Sequence, residues 1–331
     1  MSEVLLRVQN LSIAIQNGKE NLTAVDSISF HINKGEILGI VGESGCGKSL
    51  TALSIPGLLQ NEIKVLSGNT YFDGRNLLEI SKEEKRQING KEIGIIYQEP
   101  MTSLNPLMKI GKQVAEVVIL HEKKTKKEVY NDVYEVLKKV GLPDPLKSMD
   151  SYPHQLSGGM RQRVMIAMAI ICKPKLIIAD EPTTALDVTI QVQILELLKE
   201  INKEYNTSIL FISHDLGVIN RICDRVLVMY SGKIIEEGNA RTILIHPVHE
   251  YTKGLMESIP TREQKGKKLK CIEGRVPSLS EKKYGCPFAP RCGNVRDICI
   301  LEAPKMQALS MSHQVSCHLA DLESEMEYVR I

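Results

Sequence analysis

Gly42-Glu43-Ser44-Gly45-Cys46-Gly47-Lys48-Ser49 decides the reading of this chain. It has the spacing G-x-x-x-x-G-K-[ST]. The apolar run Ile37-Leu38-Gly39-Ile40-Val41 before it reads as a buried strand, and Leu50 to Leu59 after it reads as a helix. Strand, Gly-rich loop and helix are the context in which such a loop turns its backbone N–H groups inward to cradle phosphate oxygens. The helix start adds partial positive charge at the same place. The pattern makes Gly42, Ser44, Gly45, Cys46, Gly47 and Leu50 phosphate-loop residues. It sends Lys48 to the β- and γ-phosphates and the Ser49 hydroxyl to Mg²⁺. The plainer alternative is a Gly-rich turn before a helix, and the flanking elements argue against it.

Bulk properties narrow the class. The chain has 331 residues, enough for about two domains. Charged residues make up 25% and hydrophobic residues 43%, with a net charge of +2. These are values of an ordinary soluble globular protein, and the balance of charge argues against a dedicated nucleic-acid binder. No apolar stretch approaches the ~20 residues that span a bilayer. Met1-Ser2-Glu3-Val4 lacks the layout of a signal peptide, so a cytosolic chain is expected, with any membrane association made through a partner. Aromatic residues are only 4%, so Ile, Leu and Val must dominate the core.

Working outward, the N-terminal 41 residues read as strand-rich: Leu5 to Val8, Leu11 to Ile15 and Ile28 to Ile32, with Asn17-Gly18 as a hairpin signal. Val65 to Phe72 and Ile93 to Tyr97 follow as strands, the first ending at the turn signal Asp73-Gly74. Residues 100–172 have a helical pattern. Thr125 with Glu128 predicts a capping box, and Val129, Val133, Val136, Leu137 and Val140 recur at helical spacing until Gly141. Lys175 to Asp180 and Ser208 to Ser213 read as buried parallel strands, with an amphipathic helix over Val188 to Lys203 between them. Arg225 to Tyr230 and Lys233 to Gly238 predict a hairpin around Ser231-Gly232. The result is an α/β nucleotide-binding core carrying a helical insertion. Thr261 to Lys270, with five basic residues, reads as a solvated linker to a Cys-rich tail.

Two further stretches carry chemistry. Leu176 to Ala179 places Asp180 at the carboxyl end of a strand, where open α/β sheets bind ligands. Asp180 is suited to Mg²⁺ and Glu181 to polarising an attacking water. Leu156-Ser157-Gly158-Gly159-Met160 precedes the helical run from Arg161 to Cys172 and makes a second anion-accepting turn. One nucleotide needs one phosphate loop, so a second turn suggests that two subunits share each nucleotide.

The order is phosphate loop, Gln98, Leu156 to Met160, Asp180-Glu181, Thr184-Ala185-Leu186-Asp187 and His214. Over about residues 1–245 it resembles the ATPase subunits of ABC transporters. The resemblance implies a P-loop ABC ATPase fold: a mixed sheet with an antiparallel β subdomain and a helical subdomain at about 100–172. It implies that Gln98 senses Mg²⁺ and the membrane partner. Ser157, Gly158 and Gly159 would contact the γ-phosphate of a nucleotide held by the opposite subunit. Asp187 would lie at the dimer interface and His214 would contact the γ-phosphate. Taken singly, Gln98 also fits a strand-end polar residue, Asp187 a helix N-cap and His214 a core histidine.

Gln98 to Pro106, Tyr152 to Arg163, and His246-Pro247 with Tyr251-Thr252 resemble the oligopeptide and dipeptide importers, and in part the related nickel importers. That likeness implies an ATP-hydrolysing subunit at the cytoplasmic face of the membrane. Its partners would be a second, related ATPase, two transmembrane permease subunits and an extracytoplasmic substrate-binding protein. The rival is a soluble ABC ATPase of nucleic-acid repair or translation; one ATPase unit and the absence of a basic-aromatic stripe argue for no nucleic acid. Such ATPases commonly stack an early aromatic on adenine. The matching position here is Ile15, so aliphatic contact with Ile15 and Val25 is expected instead.

Eight cysteines are present, five of them after residue 270. In a cytosolic chain such a cluster suggests a metal site more than disulfides. Cys286, Cys292, Cys299 and Cys317 are spaced x5, x6 and x17. Cys286-Pro287-Phe288-Ala289-Pro290-Arg291-Cys292 resembles the Cys motif of the peptide-importer extension, which implies a [4Fe–4S] cluster in an extension over 246–331. Tetrahedral Zn²⁺, with His313 or His318 substituting, and unmetallated thiols are the alternatives. Cys271 is read as free, Cys172 and Cys223 as core residues, and Cys46 as a thiol whose oxidation or alkylation would block ATP.

Overall fold

The computed structural model describes residues 3–18, 20–184, 186–258, 272–281 and 284–320. The linker expected over Thr261 to Lys270, and Cys271, lie outside the described residues. Elements in chain order begin with β1 (Val4–Asn17), β2 (Glu20–Asn33), β3 (Ile37–Val41), α1 (Lys48–Ser54), β4 (Ile63–Phe72), β5 (Arg75–Asn76), α2 (Lys82–Ile88) and β6 (Ile93–Ile96). A helical stretch follows: α3 (Pro100–Ser103), α4 (Ile110–His121), α5 (Lys126–Lys139), α6 (Pro145–Asp150) and α7 (Gly158–Ile170). Then come β7 (Leu176–Asp180), α8 (Val188–Tyr205), β8 (Ser208–Ser213), α9 (Leu216–Ile222), β9 (Arg225–Tyr230), β10 (Lys233–Asn239), α10 (Ala240–Ile245) and α11 (Glu250–Glu257). The last are α12 (Asp297–Leu301), β11 (Gln307–Ser310) and β12 (His313–Val315).

These residues form two compact units. The first, within 1–6, 31–37 and 71–212, carries the parallel strands β6, β7 and β8 with β7 in the middle. Ile93 pairs with Leu176 and Leu176 with Ser208, so the apolar runs lie side by side and are buried throughout β7 and β8. The helical stretch belongs to this unit. Its expected capping box is present: Glu128 N donates to Thr125 Oγ1 and Thr125 N to Glu128 Oε2. Val129, Val133, Val136, Leu137 and Val140 are all buried, as their spacing predicts. The helix expected over Val188 to Lys203 is α8; it buries Ile194, Leu197, Leu198 and Ile201, while Ile190 in the first turn is only half-buried. The turn at Asp73-Gly74 has φ of 48° and 80° and joins β4 to β5.

The second unit, within 7–30, 38–70 and 213–331, holds the phosphate loop and the C-terminal residues. The two short strands read near the N-terminus form the single β1, which carries Asn10 at a φ of 47°. A side-chain oxygen of Ser29 accepts from Asn10 N at 2.8 Å, so the irregular position keeps a partner for its N–H. β3 runs parallel to β9, and β9 to β10 is the antiparallel hairpin expected around Ser231-Gly232. β10 then pairs with β12, and β12 with β11. The residues after the linker therefore extend this strand set by two.

Glu236 explains why that pairing is specific. It lies on β10, fully buried, and its carboxylate accepts from Val248 N at 2.8 Å and His249 N at 3.0 Å. His313 Nε2 on β12 lies 2.8 Å from the same carboxylate. A buried carboxylate without partners is costly, so these three contacts tie β10, the α11 start and β12 together. His249 is also buried; its Nδ1 accepts from Tyr251 N at 3.0 Å. Burial pushes its pKa from 6.5 down to about 4. The folded state thus favours the neutral ring, and the unfolded state takes up the proton first. The stabilisation is fully present above the unfolded value of 6.5 and is lost as pH falls towards 4. Urea unfolding followed across this window should lose on the order of 3 kcal/mol from this one group, and His249→Asn should flatten the decline. An equally steep decline in the variant would contradict the assignment.

Candidate functional site

The phosphate loop is held from behind. A Cβ at Gly42 would stand 2.1 Å from Met229 O, so the backbone approach to β9 excludes any side chain there. Gly47 caps α1 at a φ of 103°, with Val25, Ala24 O and Met229 all about 3 Å from where its Cβ would be. Gly232 N donates to Cys46 O at 3.0 Å, and Asp26 N to Gly232 O at 2.9 Å. Lys48 is buried, 5% exposed, and its Nζ donates to Gly42 O at 2.7 Å and Glu43 O at 3.1 Å. The ammonium therefore stands inside the loop, surrounded by its carbonyls. Ser44 and Gly45 are exposed, and Ser49 and Leu50 are half-buried in the first turn of α1. Val25 is fully buried and Ile15 half-buried.

Glu43, which sequence reasoning left without a role, is the most heavily tethered residue of the loop. Its N–H donates to Tyr251 Oη at 2.8 Å. Its carboxylate takes a two-pronged ion pair from Arg291, with Nη1 to Oε2 at 2.7 Å and Nη2 to Oε1 at 3.1 Å. Both partners come from the C-terminal region, and no spacing rule connects them to the loop.

In the first unit, Asp180 is buried at the carboxyl end of β7, and Glu181 follows at a φ of 46°. That left-handed conformation is uncommon for a residue with a side chain. Glu181 Oε2 accepts from Gln98 Nε2 at 3.1 Å and from Thr184 Oγ1 at 2.9 Å. The structure thus brings together two residues that the sequence placed 83 positions apart. It adds the hydroxyl of Thr184, for which the sequence offers no local signal. Ser157 N-caps α7, its Oγ accepting from Met160 N at 3.3 Å. Ser157 and Gly158 are exposed, while Gly159 faces the Ile190 side chain. Asp187 N-caps α8, accepting from Ile190 N at 2.9 Å. In the second unit, His214 is exposed beside Asp215, the N-cap of α9.

The donor types suit the nucleotide ligands. The hydroxyl of Ser49, the carboxamide of Gln98 and the carboxylate of Asp180 are the hard oxygen donors that Mg²⁺ takes. The cysteine expectation is corrected. Among the described residues no group of three or more His, Cys, Asp or Glu comes together to hold a metal, so neither the [4Fe–4S] cluster nor the Zn²⁺ alternative is supported. Cys286, Cys299 and Cys317 are buried and Cys292 is half-buried, and none forms a disulfide. Burial raises the thiols of Cys286, Cys292 and Cys317, which opposes the thiolate a metal needs. His313 is turned to Glu236, and His318 Nε2 to Glu302 O at 2.9 Å, so both histidines are engaged elsewhere. Cys223 packs beneath Gly39, whereas Cys172 is half-buried with its thiol pushed up to about 11.

Comparison with known proteins supplies the context. Residues 25–184 match the family described as "ABC transporter", and residues 235–299 match "Oligopeptide/dipeptide transporter, C-terminal region". The chain is 47% identical to the dipeptide transport ATP-binding protein DppD of Bacillus subtilis, covering 98% of this chain and 97% of that one. It is 46% identical to the oligopeptide transport ATP-binding protein OppD of Salmonella typhimurium, covering 96% and 94%. Among solved structures, a dimeric ATP-binding cassette in a post-hydrolysis state, bound to ADP and Pi, superposes with a TM-score of 0.65. It is 29% identical and covers 72% of this chain and 99% of that one.

Cys46 refines the expectation for its thiol. It is fully buried, and burial raises its pKa despite the nearby Lys48. At neutral pH a maleimide should leave Cys46 unlabelled in the folded protein and label it only after unfolding, read by peptide mass mapping. Rapid labelling of the native chain at Cys46 would show that the loop opens readily.

Proposed function

The chain belongs to the ABC transporter family, in its oligopeptide/dipeptide branch, and on that premise we propose that it couples ATP hydrolysis to the import of oligopeptides or dipeptides. It is an ABC-type ATPase. The observation that carries the substrate reading is the likeness to peptide-transport ATPases over nearly the whole chain, C-terminal region included. No helix among the described residues is long and apolar enough to cross a membrane. By its likeness to the peptide-transport ATPases, the chain would work from the cytoplasmic face against two permease subunits, with a second, related ATPase and an extracytoplasmic substrate-binding protein completing the importer.

ATP is the substrate, and bound Mg²⁺ would neutralise charge on its phosphates, held by Ser49, Gln98 and Asp180. Lys48 leaves its loop carbonyls for the β- and γ-phosphates. Glu181 orients the attacking water and accepts its proton, with Gln98 and Thr184 holding the carboxylate in place. His214 contacts the γ-phosphate. Ser157, Gly158 and Gly159 serve a nucleotide held by the opposing ATPase, and Asp187 lies at that contact. The ATPase domain occupies 1–245 and the extension 246–331.

Glu181→Gln keeps an acceptor for Gln98 and Thr184 but removes the base. In the assembled transporter it should bind ATP normally and lose hydrolysis by roughly 10²-fold or more. Near-normal turnover would remove Glu181 from the role. Lys48→Ala should weaken nucleotide binding itself, because a charge-assisted contact to phosphate is lost. The chain alone should hydrolyse ATP slowly and accelerate once the partner ATPase and permeases are added. Full activity in a strictly monomeric preparation would count against the shared-nucleotide arrangement.

A further inference from the structure

Arg291 belongs to neither of the nucleotide motifs, yet its environment is closely specified. Its side chain is 4% exposed. All five guanidinium donors are accounted for. Nε donates to Glu273 O at 2.8 Å, and Nη2 to Ile272 O at 3.2 Å as well as to Glu43. Nη1 donates to Tyr230 Oη at 3.4 Å and to Glu43 at 2.7 Å. The guanidinium carbon lies 5.8 Å from the Tyr230 ring centre and 5.9 Å from that of Phe288. Phe288 packs edge-on against both Tyr230 and Tyr251, and Tyr251 is the residue whose Oη accepts from Glu43 N.

Burying an ion pair costs desolvation, and well-packed apolar residues commonly hold a surface together as well or better. Packing alone therefore does not account for a buried arginine aimed at the second residue of the phosphate loop. A planar, two-pronged pair does what an apolar contact cannot: it fixes the direction of the carboxylate, and through one side chain the path of the backbone at Glu43. With the N–H of Glu43 fixed by Tyr251, both the main chain and the side chain of this residue are set from outside the loop. Glu43 O is in turn one of the two carbonyls that hold Lys48 Nζ.

We propose that Arg291 is a positioning residue for the phosphate loop, through which the C-terminal extension sets the affinity of the loop for nucleotide. The inference rests on the nucleotide-binding reading of the loop. By linkage, nucleotide binding then stabilises the turn from Cys286 to Cys292 to the same extent.

The test is a charge-swap cycle in the full-length chain. Affinity for the Mg²⁺ complex of a non-hydrolysable ATP analogue would be measured by calorimetry. Arg291→Met, which keeps much of the packing against the two rings, and Arg291→Glu should each weaken binding by about tenfold or more, as should Glu43→Arg. The double variant Glu43→Arg with Arg291→Glu should recover a large part of the loss, a rescue that a merely structural loss of packing would not give. Arg291→Lys should fall between wild type and Arg291→Met. Hydrogen exchange over 286–292 should slow on adding the analogue in wild type and not in Arg291→Met. Lys48→Ala serves as the reference. If it weakens binding while every Arg291 variant stays within twofold of wild type, or if the swap restores nothing, the positioning role is overturned. If Lys48→Ala also binds normally, the nucleotide reading falls and takes this proposal with it.

Discussion

A loop this rich in glycine has few side chains of its own to fix its path, so much of its shape is imposed by the groups packed around it. Within residues 42–49 only a few hydrogen bonds, such as Cys46 N to Glu43 O at 3.3 Å, close the loop on itself. Met229 O closes over Gly42, and Gly232 N takes Cys46 O. Lys48 turns its charge onto the carbonyls of Gly42 and Glu43. The glycines are needed on the inner side because other backbone stands where side chains would be. The lysine is suited to the same place because the unsatisfied groups on that side are oxygens.

In the first unit, the proposed role of Glu181 asks that its carboxylate be oriented. The side chains of Gln98, through Nε2, and Thr184, through Oγ1, both donate to the same oxygen, Oε2, and so fix the direction of the carboxylate. The left-handed backbone at Glu181 is the local cost of turning the chain directly after a buried strand, and Glu181 N still finds a partner in Ile212 O at 3.0 Å.

Much of this was legible in the sequence for definable reasons. The strands β7 and β8 are continuous apolar runs, α5 carries its own capping box, and the loop spacing is fixed by phosphate geometry; each is a local signal with a local cause. Thr184, Tyr251 and Arg291 were invisible as site residues because their roles depend on contacts between distant positions. Arg291 meets Glu43 across 248 residues, and only packing creates that contact. Local pattern also misled in two places. The dip at Asn10 read as a gap between two strands, although a polar residue in a left-handed conformation lets one strand run on. Cysteine spacing read as a ligand set, although thiols can equally serve as small apolar groups, and burial holds three of these four on the neutral side.

The last point changes what the residues after 245 are for. Their Phe288 completes an aromatic cluster with Tyr230 and Tyr251, and their β12 strand delivers His313 to a carboxylate buried on β10. The other two contacts described for that carboxylate, from the backbone of Val248 and His249, also come from beyond residue 245. Without these residues the Glu236 side chain would lose all three of these partners, and Glu43 would lose both tethers. A region attached in this manner is part of the folded nucleotide-binding unit, because the polar groups it satisfies belong to the β-strand and the loop that precede it. The same contacts place Arg291 directly against the second residue of the phosphate loop, so that the loop and the region after residue 245 share one set of satisfied polar groups.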